Sequence, residues 1–322
     1  MRSHPLFLSF LSLPLTKCPP NECCSKWDLR STTKELCGDK TVKRPSGEIR
    51  AEHMGRAVGY YQVSVSPRTP QAFQPEDIPL GIYTHLNFAF ASIDPKTYQI
   101  VPASASDAAL YKRLTDLKEK DRELKAYISI GRWTAGYPIP GLSRPAFNTF
   151  SNLVASEVHQ RAFFVSLIQF MNKYNFDGVD WEFPVNSDRW RNGVHFANFP
   201  TFLRNLRSAL DEGAGARNGV SVMVPVAFGH LRNYDLQDIT PWIDFYNVIT
   251  YDSLHGLSDD GNSWISDYFD SPTRMTNIAR HLDVFWRNKV PLKKLTLNLA
   301  FYPRTSTADD PGCRQPQCIF DA

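Results

Sequence analysis

No apolar run in the 322 residues approaches the ~20 needed to cross a bilayer as a helix. Neither sign of charge dominates: 36 Lys and Arg stand against 33 Asp and Glu, a formal net charge of +3. So small an excess over this length argues against nucleic acid or an anionic membrane as the main partner. No Gly-rich phosphate loop follows the first strand-like run, which argues against an open nucleotide-binding sheet. Cysteine is missing between positions 37 and 313. What is present is 42% hydrophobic and 13% aromatic residues, enough for a large core. The length suits two ordinary domains, or one α/β barrel of ~250 residues with a small companion.

The cysteines sit at the two ends: Cys18, Cys23, Cys24 and Cys37 in one group, Cys313 and Cys318 in the other. An even number in two tight groups predicts local disulfides and an oxidising compartment. Zinc is the alternative for the first group. It fits less well, because adjacent cysteines followed by a long gap do not make a C-x2-C pair and no His falls nearby at ligand spacing. Arg2 and His4 precede an apolar stretch at 6–15, the length of a signal-peptide core, although no clear small-x-small cleavage site follows before Cys18. The expected organisation is a signal-like segment at 1–17, a small Cys-rich module at 18–46 that needs staples, and a large domain at 56–322. The expected location is extracellular, by secretion.

From residue 58 the texture changes. Short apolar and aromatic runs at 58–61, 84–91, 124–130, 178–183, 220–227, 245–251 and 295–301 alternate with amphipathic stretches such as 107–120, 159–174 and 199–210. This alternation predicts parallel strands joined by crossover helices. Seven such strands fit a (β/α)8 TIM-type barrel, with the eighth strand missing from the pattern. Phe163, Phe164 and Phe170 at near-helical spacing are expected in the core. The charge run at 118–125 is expected to be a solvated helix end.

Barrel sites lie at the C-terminal ends of the strands. Those ends carry Tyr60, Phe90, Trp133, Asp180, Glu182, Tyr251, Asp252 and Arg304. The set describes an aromatic-lined cleft with carboxylates at its floor, suited to a sugar polymer. Asp180 and Glu182 are two apart on one strand, so both point to one face. Two carboxylates that close cannot both ionise freely, which gives a protonated acid beside a charged stabiliser.

Residues 57–318 resemble a family 18 glycoside hydrolase, a fungal-type chitinase. The matching pieces are V-G-Y-Y at 58–61, I-P-L-G-I-Y-T-H-L-N-F-A-F at 78–90, S-I-G-R-W at 129–133, F-D-G-V-D-W-E-F-P at 176–184, N-V-I-T-Y-D at 247–252 and F-Y-P-R at 301–304. The segment at 18–43 is similar to a hevein-like chitin-binding module. The resemblance implies a chitinase acting on chitin or chitooligosaccharide by substrate-assisted retention, without metal or organic cofactor. Glu182 would be the acid and Asp180 the partner of the sugar acetamido group. Tyr251 would hold that group's carbonyl, and Asp252 would contact the sugar. Tyr60, Phe90, Trp133 and Arg304 would line the bound chain.

Several positions depart from the family pattern. The signature D-x-x-D-x-D-x-E is two residues short here, leaving Gly178 where its middle Asp would stand. Losing two residues keeps the face of Asp180 and Glu182, because the strand period is two. Arg132, Ser64, Ile249 and Pro303 replace a Gly, a Trp, a Met and a Gly. The hevein-like segment lacks a cysteine and its usual aromatic. Three readings follow: an active chitinase, a lectin-like chitin-binding protein on the same scaffold, or a truncated gene product.

Overall fold

The computed structural model describes residues 23–24, 30–31, 55–63, 72–131, 145–182, 194–213, 218–226, 231, 233–251, 275–301 and 312. Near the N-terminus, β1 (Cys23–Cys24) pairs antiparallel with β2 (Arg30–Ser31). The side chains of Cys23 and Cys24, and Cys18, Cys37, Cys313 and Cys318 entirely, lie outside the described residues, and so does the signal-like segment at 1–17.

The large domain is a curled parallel sheet clothed in helices. Its strands are β3 (Val58–Gln62), β4 (His85–Ile93), β6 (Lys125–Gly131), β7 (Gly178–Glu182), β8 (Gly219–Pro225), β9 (Phe245–Ile249) and β10 (Leu295–Asn298). The order runs β10-β9-β8-β7-β6-β4-β3, every pair parallel. All seven expected strands are present in sequence order, which is the winding of a TIM-type barrel. A short strand not expected from the pattern, β5 (Ile100–Pro102), folds back antiparallel on β4.

The helices are α1 (Asp107–Thr115), α2 (Pro145–Ala155), α3 (Glu157–Tyr174), α4 (Val194–Gly213), α5 (Leu236–Ile239) and α6 (Met275–Arg287). Helix α3 starts on a Ser156 cap, whose Oγ accepts the His159 amide at 3.4 Å, and stops at Asn175 in the left-handed region. Only Phe176 and Asp177 then separate that cap from β7. Lys118 departs from the solvated helix end expected for its segment. Its Nζ donates to Asn175 O at 2.6 Å and to Asp177 Oδ2 at 2.9 Å, and Asp177 Oδ2 also accepts the Ala126 amide. This clasp fixes where β7 begins beside β6.

Strand alternation splits β7 between two environments. Val179 and Trp181 face the helices. Trp181 is fully buried, with ring centroids of Phe202, Phe163 and Phe150 at 4.8, 5.5 and 5.7 Å. Phe163, Phe164 and Phe170 belong to this core as expected. The other face of β7 looks into the barrel.

The lower barrel is filled by Tyr127. A Cβ built on Gly219 would lie 1.6 Å from the Tyr127 hydroxyl, and one on Gly178 would lie 2.6 Å from its ring. Gly219 therefore accepts only glycine while Tyr127 is there, and Gly178 is closed as well by the Gly219 carbonyl oxygen, also 2.6 Å from the added carbon. His85 packs edge-on against Tyr127 and Phe245 at 5.2 Å each. Among the described residues β3 and β10 each pair on one side only. Arg56 bridges them, donating to Thr296 Oγ1 at 3.2 Å and to Lys293 O at 3.4 Å, with its guanidinium 4.1 Å over the Phe245 ring.

Candidate active site

The interior face of β7 presents Gly178, Asp180 and Glu182 in rising order toward the C-terminal mouth. One strand step of two residues is ~7 Å. The two carboxylates are therefore stacked in depth rather than level with each other. Asp180 has no exposure and Glu182 retains 7%.

Asp180 is the hub of the barrel interior. Its Oδ2 accepts from the Tyr60 hydroxyl at 2.9 Å and from Ser129 Oγ at 2.9 Å. Its Oδ1 accepts from Ser221 Oγ at 2.5 Å and from Asn247 Nδ2 at 3.0 Å. The donors come from β3, β6, β8 and β9, so one side chain ties five strands together. Four donors suit a carboxylate, which is acceptor-only. Burial and the neighbouring Asp180 carboxylate hold the Tyr60 phenol well above its ordinary range, so it stays a donor at working pH.

Glu182 is placed by a backbone contact. Its register partner on β6 is Gly131, at φ 125°. A Cβ at 131 would fall 1.8 Å from the Glu182 carbonyl oxygen. On the other side Glu182 pairs with Met223 of β8. Tyr234, buried before α5, lies within the field of Glu182. Burial first, then that charge, raise the Tyr234 phenol well above its usual range.

Phe90 is half-buried at the upper end of β4. The β4–β6 register shifts there, between Ala89 and Ala91, and the Ala89–Phe90 peptide is cis. Bulges of this kind re-aim a side chain next to a site. Tyr251 lies two residues past β9 and is half-buried. The preceding Thr250 is pinned to β10 through its Oγ1 and Asn298 O at 2.5 Å. Thus the expected Tyr60, Asp180, Glu182, Phe90 and Tyr251 are all carried by the inner strands or their upper ends, although the Tyr60 hydroxyl is engaged with Asp180. Trp133, Asp252 and Arg304 lie outside the described residues. Among the described residues no group of His, Cys, Asp and Glu could hold a metal ion.

Ser129, Ser221 and Asn247 were not singled out as site residues by the sequence. Each is a fully buried polar residue in the middle of an apolar strand. Each also sits on the alternation that faces inward, and that signal could have found them.

The fold is that of a TIM-type α/β barrel, with Asp180 and Glu182 rising along one strand toward its C-terminal end. Residues 56–320 match Glycosyl hydrolases family 18, and the chain belongs to that family. The chain is 27% identical over 246 residues to chitotriosidase-1 of Mus musculus, covering 73% of this chain and 50% of that protein. It is 26% identical over 324 residues to the killer toxin subunits alpha/beta of Kluyveromyces lactis, covering 94% of this chain and 26% of that one. The chain therefore spans between about a quarter and a half of the length of these curated relatives. The crystal structure of Ostrinia furnacalis Group IV chitinase shares the fold, with a TM-score of 0.68 and 24% identity over 83% of this chain and 71% of that one.

Proposed function

We propose that the chain is an endo-type chitinase that cleaves β-1,4-linked N-acetylglucosamine polymer with retention. The observation that carries the reading is Glu182 at the mouth of the barrel, directly above a fully buried Asp180. Glu182 gives its proton to the leaving glycosidic oxygen as the C–O bond breaks. The acetamido oxygen of the same sugar forms a bond to the anomeric carbon, closing an oxazolinium ring. Water then adds at that carbon and reopens the ring, with Glu182 taking the water proton. The nucleophile belongs to the substrate, so no second enzyme carboxylate is needed at nucleophile distance. Asp180 orients the acetamido group and Tyr251 holds its carbonyl. Asp252 contacts the sugar, while Tyr60, Phe90, Trp133 and Arg304 line the chain. The module at 18–46 adds a second chitin contact, and the cysteines close disulfides in a secreted protein. Among the described residues no helix is long and apolar enough to cross a membrane.

The test is release from a fluorogenic N-acetylglucosamine oligomer by protein made in an oxidising host. Glu182→Gln should abolish release and leave oligosaccharide binding largely intact. Equal loss of both would make Glu182 a structural residue. A second reading, sugar binding without turnover, is favoured by the complete burial of Asp180. It predicts a wild-type protein that binds the oligomer and releases nothing.

A further inference from the structure

Asn87 and Asn247 each put an amide into the middle of an apolar strand, H-L-N-F-A-F-A-S-I and F-Y-N-V-I. Asparagine is depleted from strands, and both of these are fully buried. The strand period turns both into the barrel. His85 and Phe245, two residues earlier on the same strands, meet across it with ring centroids 5.2 Å apart. Asn87 and Asn247 therefore stand one layer higher, on opposite sides of the axis and beneath Asp180. Asn247 Nδ2 is engaged there, donating to Asp180 Oδ1 at 3.0 Å. Its Oδ1, and both polar atoms of the Asn87 amide, have no hydrogen-bond partner among the described residues. The Asn87 amide does lower the Tyr60 phenol pKa, against the larger effect of burial. An N–H turned toward the phenol oxygen has that effect, and it leaves Asn87 Oδ1 turned to the barrel axis.

We propose that one water molecule is bound on the barrel axis between Asn87 and Asn247, donating one hydrogen to each Oδ1. A buried carbonyl without a donor costs its full desolvation, so two of them on one sealed space call for a donor between them. Water is the ligand that this pair selects. It needs two to four polar partners, and a closed gap lined by polar atoms is filled where an apolar one stays dry. A metal ion would draw on a carboxylate, and Asp180 already accepts four hydrogen bonds. The water ties β4 to β9, strands on opposite walls, and fixes the Asn247 amide with Nδ2 toward Asp180 and Oδ1 toward the axis. It lies below the sugar cleft and takes no part in hydrolysis, so the site stands whether or not chitin is the substrate.

The experiment is the crystal structure of the full chain at a resolution that shows ordered water, with thermal melts of Asn87→Leu beside it. One solvent peak at 2.7–3.2 Å from both Oδ1 atoms is the expected result. No peak, or a peak with the shorter contacts of a metal ion, would overturn the site. The leucine has nearly the volume of asparagine but offers the water no partner, and it leaves Asn247 Oδ1 unpaired. The melting temperature should therefore fall by ~3–6 °C. Were no water bound, the same substitution would remove two unsatisfied atoms from the interior and raise it, so an unchanged or raised value also counts against the site. If Asn87→Leu does not fold, the wild-type crystal structure decides alone.

Discussion

Replacing Gly131 by alanine should cost far more than an ordinary glycine substitution, and three glycines of this chain separate the reasons. Gly55 has nothing within 4 Å of an added Cβ and no positive φ; Gly81 has φ 78° but open space; Gly131 has φ 125° and the Glu182 carbonyl oxygen 1.8 Å from the new carbon. Gly55→Ala should change stability by no more than ~0.5 kcal/mol. Gly81→Ala carries only backbone strain, ~1 kcal/mol. Gly131→Ala adds a clash with backbone, which no rotamer change relieves, and should cost ~3 kcal/mol or more. For a barrel of this size that is roughly 6–12 °C of melting temperature, at ~2–4 °C per kcal/mol. Relief of the clash pushes the end of β7 away from β6, so Glu182 moves with it. A displacement of ~1 Å at a reacting group can cost ~100-fold in rate. Thermal melts of the three variants, followed by hydrolysis of the fluorogenic oligomer, measure both effects. A Gly131→Ala protein that melts within ~2 °C of Gly81→Ala would refute the claim that close approach, rather than conformation, fixes this position.

Two further outcomes follow from the lower barrel. Burial first, then Arg56 and Lys125, lower the His85 pKa to about 4. The unfolded chain takes up this proton near pH 6.5 and the folded one only near pH 4. His85 therefore contributes stability that is complete above 6.5 and lost as pH falls to 4, at a slope of at most ~1.4 kcal/mol per pH unit. Denaturant melts from pH 7 to 4 should show that decline, and His85→Phe, which keeps the ring contacts with Tyr127 and Phe245, should flatten it. Arg56→Ala removes the bridge between β3 and β10 together with the cation over Phe245, and should cost ~1–2 kcal/mol. Hydrogen exchange should locate that loss in the amides of β10, and protection unchanged there would mean that the two edges are held by something else.

The barrel was legible because its strands are short apolar runs set between amphipathic stretches, and each of the seven fell within a few residues of its expected place. Helix α2 and strand β5 were not. Helix α2 carries Thr149, Ser151 and Asn152 among its apolar residues, which blurs the helical period, and β5 is only three residues long. In the site, the shared face of Asp180 and Glu182 followed from the strand period. Their difference in depth did not, because depth depends on the neighbouring strands rather than on β7 itself. The same holds for the partners of Asp180. Ser221 in G-V-S-V-M-V-P and Asn247 in F-Y-N-V-I look like interruptions of apolar runs until the sheet brings them around one carboxylate. Lys118 likewise reads as one charge in a polar run, and only the short link from α3 to β7 gives it Asp177 as a partner.

The fit of Tyr127 against Gly178 and Gly219 also restricts how this strand can change over generations. A carboxylate at 178, as in the longer family signature, is barred by the Tyr127 ring and by the Gly219 carbonyl oxygen together. Shrinking Tyr127 first would open a cavity costing ~3–5 kcal/mol, before any new side chain could profit from the room. Even then the Gly219 carbonyl would have to shift, so the intermediate stands nearer the threshold of folding with no room yet gained at 178. The present interior is therefore reached more easily than it is left, and descendants of this chain are expected to keep Asp180 as the one carboxylate beneath Glu182 or to lose the site altogether.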